Sequence, residues 1–139
     1  MLEVSVILPT YNRLTQLQQV LAGLEKQSYS FAKFEVIVVS DGSTDGTNEY
    51  LQTFQPMTSL RLTPVLQENA GPAAARNHGI QVARGNYILF IDDDVVPVPH
   101  LLEAHMATHR HYRTEVQTEV VVMGPMHTPT EFNMKPWVR

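Results

Sequence analysis

Val4-Ser5-Val6-Ile7-Leu8-Pro9-Thr10-Tyr11-Asn12-Arg13-Leu14 holds a change of period that decides the fold. Val4 to Leu8 is nearly all apolar and reads as a buried strand. Pro9 to Arg13 leaves that strand as a loop. Leu14, Leu17, Val20, Leu21 and Leu24 then recur at helical spacing, so a helix follows at once. The alternation continues outward. Residues 34–39 read as a second strand, 41–46 as a turn cluster and 47–54 as a short helix. Residues 60–67 give a third strand. Pro72 sits where a helix favours proline, and the helix over 73–83 ends at Gly85. Residues 87–91 are a fourth strand, expected to be buried, that runs into Asp92-Asp93-Asp94. Pro97 and Pro99 precede a helix over 100–111, and residues 119–123 read as a last strand.

Alternating strands and helices predict an α/β fold, a mostly parallel sheet with helices on both faces. In such sheets ligands bind beyond the carboxyl ends of the strands. That rule selects residues 9–12, 40–44 and 92–94 and places them on one edge.

The bulk numbers limit the partners. At 139 residues and 43% hydrophobic content, the chain suits one domain with a real core, and 17% charged residues argue against disorder. The net charge is −4 and no basic block stands out, so nucleic acid is not an expected partner. Cysteine is absent, which excludes disulfides and thiolate metal sites and fits a reducing compartment. The N-terminus does not read as a signal peptide. No apolar run approaches the roughly 18 residues of a membrane span. The last residues, Pro136-Trp137-Val138-Arg139, carry no polar tail and are expected of a polypeptide cut from a longer one.

Asp92-Asp93-Asp94 carries the sharpest chemistry. Three successive carboxylates repel one another, and a hard cation such as Mg²⁺ or Mn²⁺ offsets that best while leaving places for phosphate oxygens. The plainer alternative is an acidic loop that caps the next helix. Asp41 sits at a strand end, where its carboxylate can accept a hydrogen bond from a base N–H, or it can serve as a turn residue. Asp45 and Ser43 are expected as helix caps. Tyr11 is either a stacking ring for a nucleobase or a partly buried loop tyrosine. Arg76 either reaches a phosphate or base or makes a helix salt bridge. His100, His105, His109 and His111 lack a metal-site signature and read as neutral or solvated surface residues. His127 is a minor candidate ligand.

Taken together, the segments 4–13, 35–45, 69–79 and 85–94 resemble family 2 glycosyltransferases of the GT-A (Rossmann-like) fold. The resemblance covers about residues 3 to 112. It implies transfer of a sugar from a nucleotide-diphosphate donor, most often a UDP-sugar, to an acceptor with inversion at the anomeric carbon. By position, Pro9 and Tyr11 would line the base pocket and Asp41 would contact the base. Arg76 would lie beside the nucleotide, and Asp93 would face the ribose or diphosphate. Asp92 and Asp94 form the D-x-D pair, with Asp94 the direct Mg²⁺ or Mn²⁺ ligand that assists the leaving group. The resemblance also implies a general base well after that pair. No Asp follows Asp94, and of the later acids Glu103, Glu115, Glu119 and Glu131, only Glu131 has the relative position. Residues 1–124 are thus expected as the nucleotide-sugar-binding domain, and 125–139 as the start of a truncated acceptor-side region. The chain would bind donor with little turnover of its own. The acceptor (saccharide, lipid or protein) is open. The cytoplasm, at the membrane face in a longer parent, is the implied location. Two other readings stand beside this one. A sugar nucleotidyltransferase uses a similar sheet and metal, but its glycine-rich loop has no match in residues 9–13. A non-catalytic nucleotide-binding fragment would follow from the missing base.

Overall fold

The computed structural model of the chain describes residues 1–125. The chain divides into two compact units, Met1–Glu103 and Ala104–Arg139. In the first unit, β1 (Val4–Thr10), α1 (Leu14–Leu24), β2 (Phe34–Asp41), α2 (Thr47–Gln52), β3 (Leu62–Gln67), α3 (Pro72–Val82) and β4 (Tyr87–Phe90) follow in strict alternation. A further helix, α4 (Leu101–His111), begins in this unit.

The four strands form one sheet in the order β3-β2-β1-β4, and every pairing is parallel. The expected α/β architecture is therefore present. The two central strands carry the longest apolar runs because both of their faces are covered. All eight residues of β2 are buried. Ile7 pairs with Ile37 in register, and both point to the face covered by α3. Gly79 of α3 permits that contact, since a Cβ there would lie 2.5 Å from Ile7 Cγ2. Val6, Leu8, Val36 and Val38 point the other way and are equally buried. The amphipathic α1 buries Leu17, Val20, Leu21 and Leu24.

Two expectations need correction. The fourth strand is not buried throughout: Ile88 and Phe90 are exposed, Phe90 by 45%. It forms the sheet edge, and among the described residues only β1 pairs with it. Residues 119–123 form no strand. Tyr112–Val116 is a π-helical turn, and Gln117 closes it with a left-handed φ of 57°. Val121 and Met123 beyond it are almost fully exposed. No hydrogen-bonded neighbour completes a ladder for them among the described residues.

Sheet order places the site. β1 has β2 on one side and β4 on the other, so the chain reverses direction across the sheet between β1 and β4. Loops leaving a parallel sheet at such a switch point diverge and open a crevice at the carboxyl edge.

Candidate functional site

A cleft of about 510 Å³ opens at that edge. Its walls come from the ends of β1, β2 and β4 and from the first turns of α3. Pro9, Tyr11, Asp41, Arg76, Asp92, Asp93 and Asp94, selected from sequence, all line it. Glu131 and His127 lie outside the described residues.

The loop after β1 is held from two sides. Asn12 adopts a left-handed φ of 50°, a conformation asparagine tolerates. Its N–H donates to Ser43 Oγ at 3.1 Å, and its Oδ1 accepts from the Thr44 N–H at 2.7 Å. Asp45 accepts from the first backbone N–H of two helices, Leu14 at 3.1 Å and Thr47 at 3.2 Å. The Thr47 hydroxyl is the main cause that holds the Asp45 carboxyl below its ordinary range; burial opposes it, and the backbone donors assist. The capping role expected of Asp45 is thus observed, whereas Ser43 serves the Asn12 loop. With the loop so fixed, Tyr11 stands 50% exposed in the cleft wall.

Asp41 is buried at the end of β2, and its carboxylate has no spare capacity. Oδ1 accepts from Gln67 Nε2 at 2.9 Å and the Ala70 N–H at 2.7 Å. Oδ2 accepts from the Gly71 N–H at 3.0 Å and Asn69 Nδ2 at 3.3 Å. An ionised carboxylate offers about four acceptor sites, so all are engaged. Burial favours the neutral acid, but the bonds from Gln67, Ala70 and Gly71 outweigh it and hold the carboxyl below its usual range. These bonds tie the loop before α3 to β2. Gly42 lets the two loops close up: its φ is +77°, and a Cβ there would meet the Asn69 nitrogen at 2.8 Å.

The acidic tip after β4 is only partly compensated. Asp93 points inward, where Thr10 Oγ1 donates to Oδ2 at 3.0 Å and Arg13 Nη1 to Oδ1 at 3.3 Å. The same Arg13 nitrogen reaches Asp94 Oδ2 at 3.0 Å. Arg76 Nη2 reaches Asp92 Oδ1 at 3.1 Å. Arg76 therefore bridges α3 to the tip, so the salt bridge weighed from sequence is present, with a partner that follows β4. Three carboxylates share two guanidinium groups, and those of Asp92 and Asp94 are more than half exposed.

Sequence reasoning did not single out Arg13 or Asn69, and it selected Thr10 only as part of the 9–12 edge; all three line the cleft. A charge balance was the available signal: three adjacent carboxylates need nearby cations. Some of the other acids and histidines have partners of their own. Glu103 accepts from Ser28 Oγ at 2.6 Å. Within the second unit, Glu115 pairs with His111 at 3.2 Å, and burial together with His109 disfavours the charged form of His105. Among the described residues, no group of three or more His, Asp or Glu side chains is arranged to hold a metal by itself.

Comparison with known proteins identifies the family and the fold. Residues 5–134 match the model of glycosyl transferase family 2. Validoxylamine A glucosyltransferase of Streptomyces hygroscopicus subsp. jinggangensis is 36% identical over 107 residues, 76% of this chain and 25% of that protein. The crystal structure of Staphylococcus aureus TarS 1–349 in complex with UDP-GlcNAc superposes with a TM-score of 0.73 at 32% identity. It covers 81% of this chain and 32% of that one. The mannosyltransferase PcManGT from Pyrobaculum calidifontis, in complex with GDP-Man and Mn²⁺, gives a TM-score of 0.69 at 30% identity, again over 81% of this chain and 32% of the other. The chain thus spans about a quarter to a third of the length of these relatives. Parallel-sheet topology, a cleft at the switch point and a family match over nearly the whole sequence agree: the chain belongs to glycosyl transferase family 2 and has its GT-A fold.

Proposed function

We propose that this chain is the donor-binding part of an inverting glycosyltransferase that uses a nucleotide-diphosphate sugar, a UDP-sugar first, together with Mg²⁺ or Mn²⁺. The carrying observation is the convergence of Tyr11, Asp41, Arg76 and Asp92 to Asp94 on one cleft. An aromatic ring, base-reading polar groups, guanidinium groups and carboxylates in one crevice match the parts of such a donor. The UDP preference draws on the TarS complex, and the metal on the PcManGT complex.

Each residue has a role in this reading. Pro9 and Tyr11 line the base pocket, and Tyr11 stacks on the base. Asp41 meets the base edge by giving up its longest bond, the one from Asn69. Arg76 lies beside the nucleotide, where its guanidinium is suited to phosphate oxygens. Asp93 supports the ribose or diphosphate side of the cleft. The donor set at the tip is all oxygen, and its three carboxylates share two guanidinium groups, which leaves one net negative charge. A hard cation that takes one or two carboxylates and completes its shell from phosphate and water fits that set. Asp92 and Asp94 would hold it, Asp94 directly, and when bound it supplies charge neutralisation for the departing nucleotide diphosphate.

Inversion requires an acceptor hydroxyl to attack the anomeric carbon while a base removes its proton. Glu131 is our candidate for that base by position. Residues 1–124 are proposed as the donor domain and 125–139 as the start of the acceptor side. The parent is proposed to work in the cytoplasm, at the membrane face. No helix among the described residues is long and apolar enough to cross a membrane.

The test is a thermal melt with UDP, with and without Mn²⁺. Saturating UDP plus Mn²⁺ should raise the melting temperature by roughly 5–10 °C at a hundredfold excess over Kd. An equal shift in EDTA would remove the metal from the account. Release of pyrophosphate from a nucleoside triphosphate and a sugar phosphate would reassign the chain to nucleotidyl transfer.

A further inference from the structure

We infer that Arg13 is a built-in counter-ion of the acidic tip, which competes with a divalent cation for Asp94 and thereby makes cation loading depend on the donor. The inference rests on the proposed role of Asp94 as cation ligand.

One nitrogen, Nη1, serves two carboxylates, at 3.3 Å from Asp93 and 3.0 Å from Asp94. The two differ in what else holds them. Asp93 has a side chain only 12% exposed, and its other oxygen is fixed by Thr10. Asp94 has a side chain 53% exposed and is bonded by Arg13 alone among its described hydrogen bonds. The arginine backbone is fixed at the start of α1, where its carbonyl accepts from the Leu17 N–H at 2.9 Å. Its side chain is half exposed and can turn into the cleft without disturbing the core. Arg13 is therefore anchored at the backbone, while its guanidinium is shared between a buried carboxylate with a second partner and an exposed one without.

The balance of energies favours exchange. An exposed ion pair contributes little, so a cation that arrives with a diphosphate displaces it. The same guanidinium repels a free divalent cation that approaches Asp94 alone. Donor phosphates relieve that repulsion, because they give the released guanidinium a bidentate partner. Free cation thus meets a guarded tip, and cation with donor meets an open one. Coupling of this kind is reciprocal between the two ligands.

The test is a Mn²⁺ titration at low salt, read by the EPR signal of free Mn²⁺, on the wild-type chain, Arg13→Gln, Arg13→Lys and Asp94→Asn. Without nucleotide, Arg13→Gln should bind Mn²⁺ about two- to fivefold more tightly than wild type. UDP should erase that advantage, and added salt should narrow it. Arg13→Lys keeps the charge and should stay near wild type. Asp94→Asn should bind Mn²⁺ more weakly than either. A merely structural arginine would give the opposite sign, since its loss would loosen the tip. If Arg13→Gln binds Mn²⁺ no better than wild type while wild type still takes Mn²⁺ with UDP, the counter-ion role is overturned and the donor reading survives. If wild type takes no Mn²⁺ even with UDP, both fall.

Discussion

At the amino ends of the strands, Glu35 is buried to 1% exposure and accepts four hydrogen bonds. Ser5 Oγ and the Arg84 N–H reach Oε1, both at 2.8 Å, and the Arg84 guanidinium reaches Oε2 through two nitrogens, at 2.7 and 3.1 Å. At the carboxyl ends, Asp92 and Asp94 each meet one guanidinium nitrogen and stand more than half exposed. Both regions pair carboxylates with arginine, yet they are suited to opposite tasks. Four donors around a dry carboxylate fix it in place, because no ligand replaces all of them at once. One donor on a wet carboxylate leaves it open to exchange. Stability is invested at the first end and ligand chemistry at the second.

The largest expected effect breaks the second region alone. Asp94→Ala should abolish the Mn²⁺-dependent melting shift with UDP. The melting temperature without ligand should hold or rise, since one carboxylate leaves a repelling cluster. A large loss of basal stability would contradict the division of labour.

Next comes the first region. Arg84→Ala strands the Glu35 carboxylate in a dry site and should cost about 3 kcal/mol in urea unfolding. The UDP shift should survive at temperatures where the variant is folded. A cost near zero would mean that Glu35 draws enough solvent to do without its partner.

Acid should separate the regions further. For Glu35, burial raises the pKa, but Arg84 and Ser5 outweigh it, so the folded value lies below the ordinary 4.5. Asp41 likewise titrates below the ordinary 3.8 when folded. Both bind protons more readily when unfolded, so unfolding takes up protons in acid. Their stabilisation is therefore complete above those ordinary values and is lost as pH falls through the lower folded ones. Urea midpoints should drop below about pH 4.5, and Glu35→Gln should flatten part of that slope. An unchanged slope in the variant would place the acid sensitivity elsewhere. The smallest effect is Asp45→Ala, which removes bonds to two helix starts and should cost about 1 kcal/mol with the UDP shift intact.

Much of the first unit was legible in the sequence because a two-sided core forces continuous apolar runs. Val4–Thr10 and Phe34–Asp41 carry such runs and lie where they predict. The strand ends were legible too, since parallel topology sends Tyr11, Asp41 and Asp92 to Asp94 to one edge. The exposure of β4 was not legible: Ile88 and Phe90 look like core residues, but they stand on one face of a strand at the sheet edge. Val120-Val121-Val122 has strand composition, but a strand also needs a partner edge, which composition does not encode. The arginine pairings were hidden by distance along the chain, 80 residues for Arg13 and Asp93 and 49 for Arg84 and Glu35. The engagement of Asp41 was hidden for another reason. Two of its donors are the Ala70 and Gly71 N–H groups, and every residue but proline has one of those.

A crystal of this chain soaked with a UDP-sugar and Mn²⁺, with data collected at the manganese edge, tests the central claim most directly. We predict an anomalous peak within ligand distance of Asp94 and of the diphosphate oxygens, with Arg13 drawn off that carboxylate. Nucleotide bound in the cleft with no such peak, and Arg13 still seated on Asp94, would contradict it.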